Sequence, residues 1–108
     1  MTAITPPRPA LEHRWLTLTR ETLPALAAGR GWPIRADHCF QRVLLDAACG
    51  GRWTDHVARR PAYRHLATET LARAVALAEA VVAGTADLPE LNRQSLGWRG
   101  KLRRSCLS

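Results

Sequence analysis

The sequence has no long apolar stretch. No hydrophobic run reaches the about 18 residues that a membrane helix requires, which excludes a helical span. Met1 to Ala10 lacks the charged-then-apolar order of a secretory signal, so none is expected. Cysteine is scarce. The three residues are an odd, widely spaced set that points to a reducing cytoplasm rather than a disulfide framework. No segment alternates polar and apolar residues over strand length, and no internal repeat is visible. No motif names a reaction. What is present is an ordinary globular composition, 46% hydrophobic and 23% charged over 108 residues, enough for one domain with its own core.

Lysine is also nearly absent, because fifteen of the sixteen basic residues are arginine. Together with eighteen alanines this is what a GC-rich genome writes by codon bias, so part of the +7 net charge is background. The position of the charge is more informative than its sum. Residues 1–92 hold eleven arginines and all nine acids, a net of +2, whereas residues 93–108 hold five bases and no acid. A nearly neutral body thus carries a basic end, which attracts phosphate, an acidic protein surface or an anionic membrane.

Residues 1–9, with Pro6, Pro7 and Pro9, read as a flexible arm. From Ala10 the periodicity is helical, with Leu11, Trp15, Leu18, Thr22 and Ala25 on one stripe that Leu26 widens. Pro24 removes an amide from this stretch, which predicts a kink or two short helices meeting, and Gly29 and Gly31 end it. A second helix is expected from about Asp37 to Ala48, capped by Asp37, with Phe40, Val43, Leu44, Ala47 and Ala48 on its apolar face. Gly50-Gly51 closes it. Trp53 to Ala58 predicts a short helical turn, and Pro61 opens another through Leu66. The clearest helix spans Thr68 to Ala83, with Leu71, Ala74, Val75, Ala78, Val81 and Val82 inward. Asp87 to Glu90 has the form of a capping box, starting a helix that turns Leu91, Ser95 and Trp98 inward. The predicted fold is all-α, a small irregular bundle of four to five helices over residues 10–96, with 97–108 as a basic tail.

The densest group of chemistry-bearing residues is Asp37, His38, Cys39, Arg42, Asp46, Cys49, Arg52, Trp53, Asp55 and His56. A zinc site needs about four converging ligands. Cys39 and Cys49 stand ten residues apart on one predicted helix, about 15 Å along its axis, so no metal or other cofactor is expected. Cys39 with His56 and Asp55 forms a nucleophile arrangement only if the fold gathers all three. The competing reading makes both cysteines small apolar residues and Asp37, Arg42, Asp46, Arg52 and Asp55 an ion-pair network tying two helices and a turn together. An enzyme would need at least three of Asp37, His38, Cys39 and His56 in one cleft.

The segments Arg30-Gly31-Trp32-Pro33, Asp37-His38-Cys39-Phe40-Gln41-Arg42 and Gly50-Gly51-Arg52-Trp53, with Leu91 to Leu96 and Trp98-Arg99-Gly100-Lys101, carry a resemblance. They resemble a group of short proteobacterial proteins that often bear the name of GCN5-related N-acetyltransferases. The acetyl-CoA fold needs a mixed sheet and a phosphate-cradling Arg/Gln-x-x-Gly-x-Gly/Ala turn. The nearest approach, Gln94 with Gly97, has Arg99 at the last position, so no acetyltransferase residue is carried over. The resemblance implies a bacterial cytosolic protein.

Two functions follow from the residues. The first is a small basic module that binds nucleic acid without catalysis, through Arg93, Trp98, Arg99, Lys101, Arg103 and Arg104, with Arg30, Arg35, Arg59, Arg60 and Arg64 on loops and short helices. The second is a protein-binding adaptor or regulator, with Trp53, Tyr63 and Trp98 as anchors and an arginine rim facing an acidic partner. On the first reading, truncation after Leu96 is expected to leave folding cooperative, because residues 97–108 supply little apolar surface.

Overall fold

The computed structural model describes residues 7–57 and 59–100. Helix α1 (Arg8–Thr17) starts behind Pro7, with Pro9 in its first turn where no intrahelical amide donor is needed. It runs without a break through a π turn (Leu18–Thr22) into α2 (Leu23–Arg30). Pro24 explains the π turn. Its nitrogen cannot donate to the Arg20 carbonyl, and the chain widens by one residue, so that the Leu23 amide bonds Leu18 five positions back. Of the two expected forms, a kink or two short helices meeting, the second describes what is seen: α1 and α2 are short and meet through a π turn. Gly31, at φ 66°, caps α2 in the left-handed region, and the Trp32 amide reaches back to the Ala27 carbonyl at 3.1 Å.

Helix α3 (Asp37–Cys49) is followed by a 3₁₀ turn (Trp53–Asp55) and the single-turn helix α4 (Ala62–His65). Asp37 does not cap α3. Ala36 occupies the N-cap, and Asp37 sits one residue inside, where its carboxylate accepts the His38 amide at 2.7 Å. Helix α5 (Thr68–Ala83) has its expected bounds, and α6 (Leu88–Trp98) starts as expected, with Asp87 accepting the Glu90 amide at 3.2 Å. On α6 Ser95 is buried and Leu91 packs against the core as expected, and only Trp98 departs from the expected inward face. Leu88, Asn92 and Ser95 are buried, whereas Trp98 is 41% exposed. No strand occurs among the described residues, and the fold is a small all-α bundle.

Helix α3 lies at the centre and packs against both α5 and α6, while α5 also packs along α1. Trp15, Leu18, Leu23, Phe40, Leu44 and Leu71 are fully buried in one core, and Trp32 closes an end by meeting Phe40 edge-on at 5.8 Å. Arginines tie the helix ends. Arg30 donates to the Val81 and Val82 carbonyls at the C-terminus of α5, at 3.0 and 2.9 Å. Arg73 donates to the Ala48 carbonyl at the end of α3. Both place a cation at the negative pole of a helix.

Since Leu44 has no exposed surface at the centre of this core, Leu44→Ala should lower unfolding free energy by about 2–5 kcal/mol. Urea denaturation followed by far-UV circular dichroism measures this, and an unchanged midpoint would show that the α3 face is not the core.

A cationic aromatic cleft as candidate binding site

Thirteen arginines lie within the described residues, and the acids silence several of them. Arg8 pairs with Glu12, Arg14 with Glu79, Arg52 with Asp55, Arg93 with Glu90 and Arg99 with Asp46. Arg30 and Arg73 serve helix ends. Six remain without a carboxylate partner among the described residues: Arg20, Arg35, Arg42, Arg59, Arg60 and Arg64. Three of these six, Arg20, Arg42 and Arg60, line a single cleft of about 470 Å³.

The cleft is assembled from local geometry. His38, Gln41, Arg42 and Leu45 follow i, i+3, i+4, i+7 spacing, so one face of α3 supplies all four. The π turn adds Arg20 to the lining. This is the kind of place where π turns recur, because the widened turn re-aims the side chains around it. Thr19, in the same turn, donates to the Trp15 carbonyl at 2.9 Å and accepts from Gln41 at 3.1 Å, which links the turn to α3. Trp53 arrives from the 3₁₀ turn, and Arg60 to Tyr63 from the connection into α4. Buried Trp15 and Leu45 contribute apolar wall, and no carboxylate lines the space. The Arg60 guanidinium stands over the Trp53 ring, 5.5 Å from its centroid.

Behind the cleft lies the most polar part of the interior. The Asp46 side chain is completely buried. Its two oxygens accept Arg99 Nε at 2.7 Å and Nη2 at 2.8 Å, the Ser95 hydroxyl at 2.6 Å and the Trp53 amide at 2.9 Å. Ser95 in turn accepts Arg42 at 3.0 Å, and Asn92 accepts the other Arg42 nitrogen at 2.8 Å. The chain Arg99–Asp46–Ser95–Arg42 thus joins α6 to α3 and holds two cleft residues from behind, Arg42 by its guanidinium and Trp53 by its backbone. Burial alone would push the Asp46 carboxyl up. The hydrogen bonds from Arg99, Ser95 and the Trp53 amide, with the charge of Arg99, outweigh burial and hold it below the usual carboxylate range.

The residues singled out in the sequence separate accordingly. His38, Arg42 and Trp53 come together in the cleft. Asp37 and His56 are exposed outside it, Cys39 is half-buried outside it, and Arg52 and Asp55 form a surface pair at 3.1 Å. Of Asp37, His38, Cys39 and His56 only His38 lines the cleft, so three of them do not share it, and none of Cys39, Asp55 and His56 enters it. Burial, and then the Asp46 charge, push the Cys49 thiol up against the opposing effect of Arg73, which keeps it a weak nucleophile. No group of three or more metal-ligating side chains is found among the described residues. Of the expected ion-pair network only the Arg52–Asp55 pair forms among the described residues; Asp46 pairs with Arg99 across 53 positions, Arg42 bonds Ser95 and Asn92, and Asp37 meets only His38.

The basic end is likewise redistributed. Arg99 is a structural cation held on buried Asp46, whereas Arg93 stays exposed on the α6 surface beside Glu90. Trp98 remains exposed. Lys101, Arg103 and Arg104 lie outside the described residues. Arg20 escaped the sequence reading altogether, because on a regular helix nothing marks it from the other surface arginines. Gln94, the one position close to the acetyl-CoA turn pattern, is exposed in the middle of α6 rather than ahead of a helix. Comparison with family models, curated proteins and solved structures returned no match.

Two outcomes follow from the buried pair. Arg99→Ala, and truncation after Leu96, should each destabilise the domain, the substitution by about 3–5 kcal/mol, since Asp46 is left charged and buried without its partner. The sequence led to the expectation that the truncated chain folds cooperatively; the Asp46–Arg99 pair adds that it does so with lower stability, and urea melts at neutral pH measure both. Because folding lowers the Asp46 pKa below its unfolded value of about 3.9, the stabilisation is complete above about pH 5. It is lost as pH falls through the folded-state pKa. Between pH 5 and 2 the stability of Asp46→Asn should therefore fall less steeply than that of the wild type, and parallel slopes would contradict the assignment.

Proposed function

We propose that this protein is a small non-enzymatic module that binds nucleic acid, with the cleft between the π turn, α3 and α4 at the centre of its contact surface. One observation carries the reading. Three guanidinium groups and an imidazole meet around aromatic rings in a space that no carboxylate lines. Phosphates satisfy the cations, and the exchange releases counterions from the nucleic acid. The Trp53 and Tyr63 rings accept the flat apolar faces of bases. Arg35, Arg59 and Arg64, exposed and free of acids among the described residues, widen the positive surface. The basic residues Lys101, Arg103 and Arg104 follow α6 in the sequence and add charge to the same chain.

A second reading, a protein-binding adaptor facing an acidic partner, draws on Trp98, the one large hydrophobic residue strongly exposed among those described. The two readings differ in what competes. In a salt series with labelled single-stranded DNA, RNA and duplex, the wild type should bind with micromolar or tighter affinity and a steep salt dependence. Replacing Arg20 and Arg60 together by Gln should weaken binding at least tenfold and flatten the slope. Polyglutamate that binds while nucleic acid does not would instead support the adaptor.

A further inference from the structure

We infer that the cleft seats one unpaired nucleotide, its base stacked on Trp53 and its phosphate on Arg20 and Arg60, so that the protein selects single strands over duplex. The inference rests on the nucleic-acid reading and names the form of ligand within it. About 470 Å³ falls in the range of about 300–1,000 Å³ typical of sites for small molecules, room for one nucleotide rather than for a stretch of helix. Within a duplex each base has both faces covered by its neighbours and offers only an edge. A base whose face enters a pocket must be unstacked first, which a single strand allows at least cost.

The arrangement inside the cleft supports the base position. The half-buried Trp53 ring already has a planar group above it, the guanidinium of Arg60. Arg60 is exposed and without a carboxylate partner among the described residues, so it is free to leave the ring for a phosphate when a base takes its place. Arg20 is exposed and lines the same cleft. Arg42 differs from both, since Ser95 and Asn92 bind two of its nitrogens and hold it half-buried. It is a fixed donor within the pocket, while Arg20 and Arg60 are exposed and have no carboxylate partner among the described residues. Trp15 and Leu45 complete the apolar part of the wall beside the stacking position.

The test compares a labelled 12-nucleotide single strand with the duplex of the same sequence, titrated into the full chain at fixed salt. The single strand should bind at least tenfold tighter. Trp53→Leu should weaken single-strand binding at least fivefold and leave duplex binding unchanged, whereas Trp98→Leu should change neither. The Trp53 substitution leaves the backbone amide that bonds Asp46 in place, and a thermal melt checks that the variant is folded. Should it fail to fold, Tyr63→Leu and Arg60→Gln address the same pocket, and either should lower single-strand affinity selectively. Equal affinity for single strand and duplex, or a loss on both with Trp53→Leu, overturns the single-nucleotide pocket while leaving nucleic-acid binding intact. Absence of binding to both overturns the two together.

Discussion

The buried carboxylate of Asp46 is the interaction on which the rest of this structure depends. A fully buried charge is tolerated only when its partners replace water completely, and here Arg99, Ser95 and the Trp53 amide do so. Each partner comes from a different place. Arg99 ends α6, Ser95 lies on its inner face, and Trp53 begins the 3₁₀ turn after α3. One side chain therefore fixes the last helix, the loop beyond the central helix and, through Ser95, the orientation of Arg42. The cleft inherits its geometry from this network, which lies behind it and belongs to the fold.

A second constraint is the distribution of acids. Nine carboxylates among fifteen arginines cannot neutralise the surface evenly. Five arginines have acidic partners and two cap helix C-termini, which removes charge from the outer faces of α1, α5 and α6. The uncommitted arginines concentrate around the π turn and the connection into α4. Exposed ion pairs of this kind contribute little to stability, yet they decide where positive potential survives. A chain with a modest net charge can in this way present a local site far more positive than its average.

Much of the architecture was legible in the linear pattern. The bounds of α5 and the Asp87 cap of α6 follow from periodicity and capping chemistry, which act over a few residues. The central face of α3 was equally plain, whereas Asp37 as its cap was not, because Ala36 takes the extended conformation one position earlier. Pro24 announced a disturbance in the first rod. Whether it becomes a kink or a π turn depends on keeping Trp15, Leu18 and Leu23 all in the core, which is a matter of packing. Trp98 illustrates the opposite error. Its helical spacing with Ser95 suggested burial, but the inner face of α6 runs through Leu88, Asn92 and Ser95 and leaves Trp98 outside.

The sequence by itself determined the helical class, most helix ends and the excess of arginine, because propensity, caps and composition are local properties of the chain. Only the tertiary structure decided which arginines are free. Arg99 read as part of a phosphate-binding tail and lies paired with a carboxylate 53 positions earlier, while Arg20, unremarkable in the chain, lines one cleft with His38, Arg42 and Trp53. Such assignments depend on which charges meet when helices pack. The energy of an ion pair depends on separation in space and on burial, and neither is encoded in the distance along the chain.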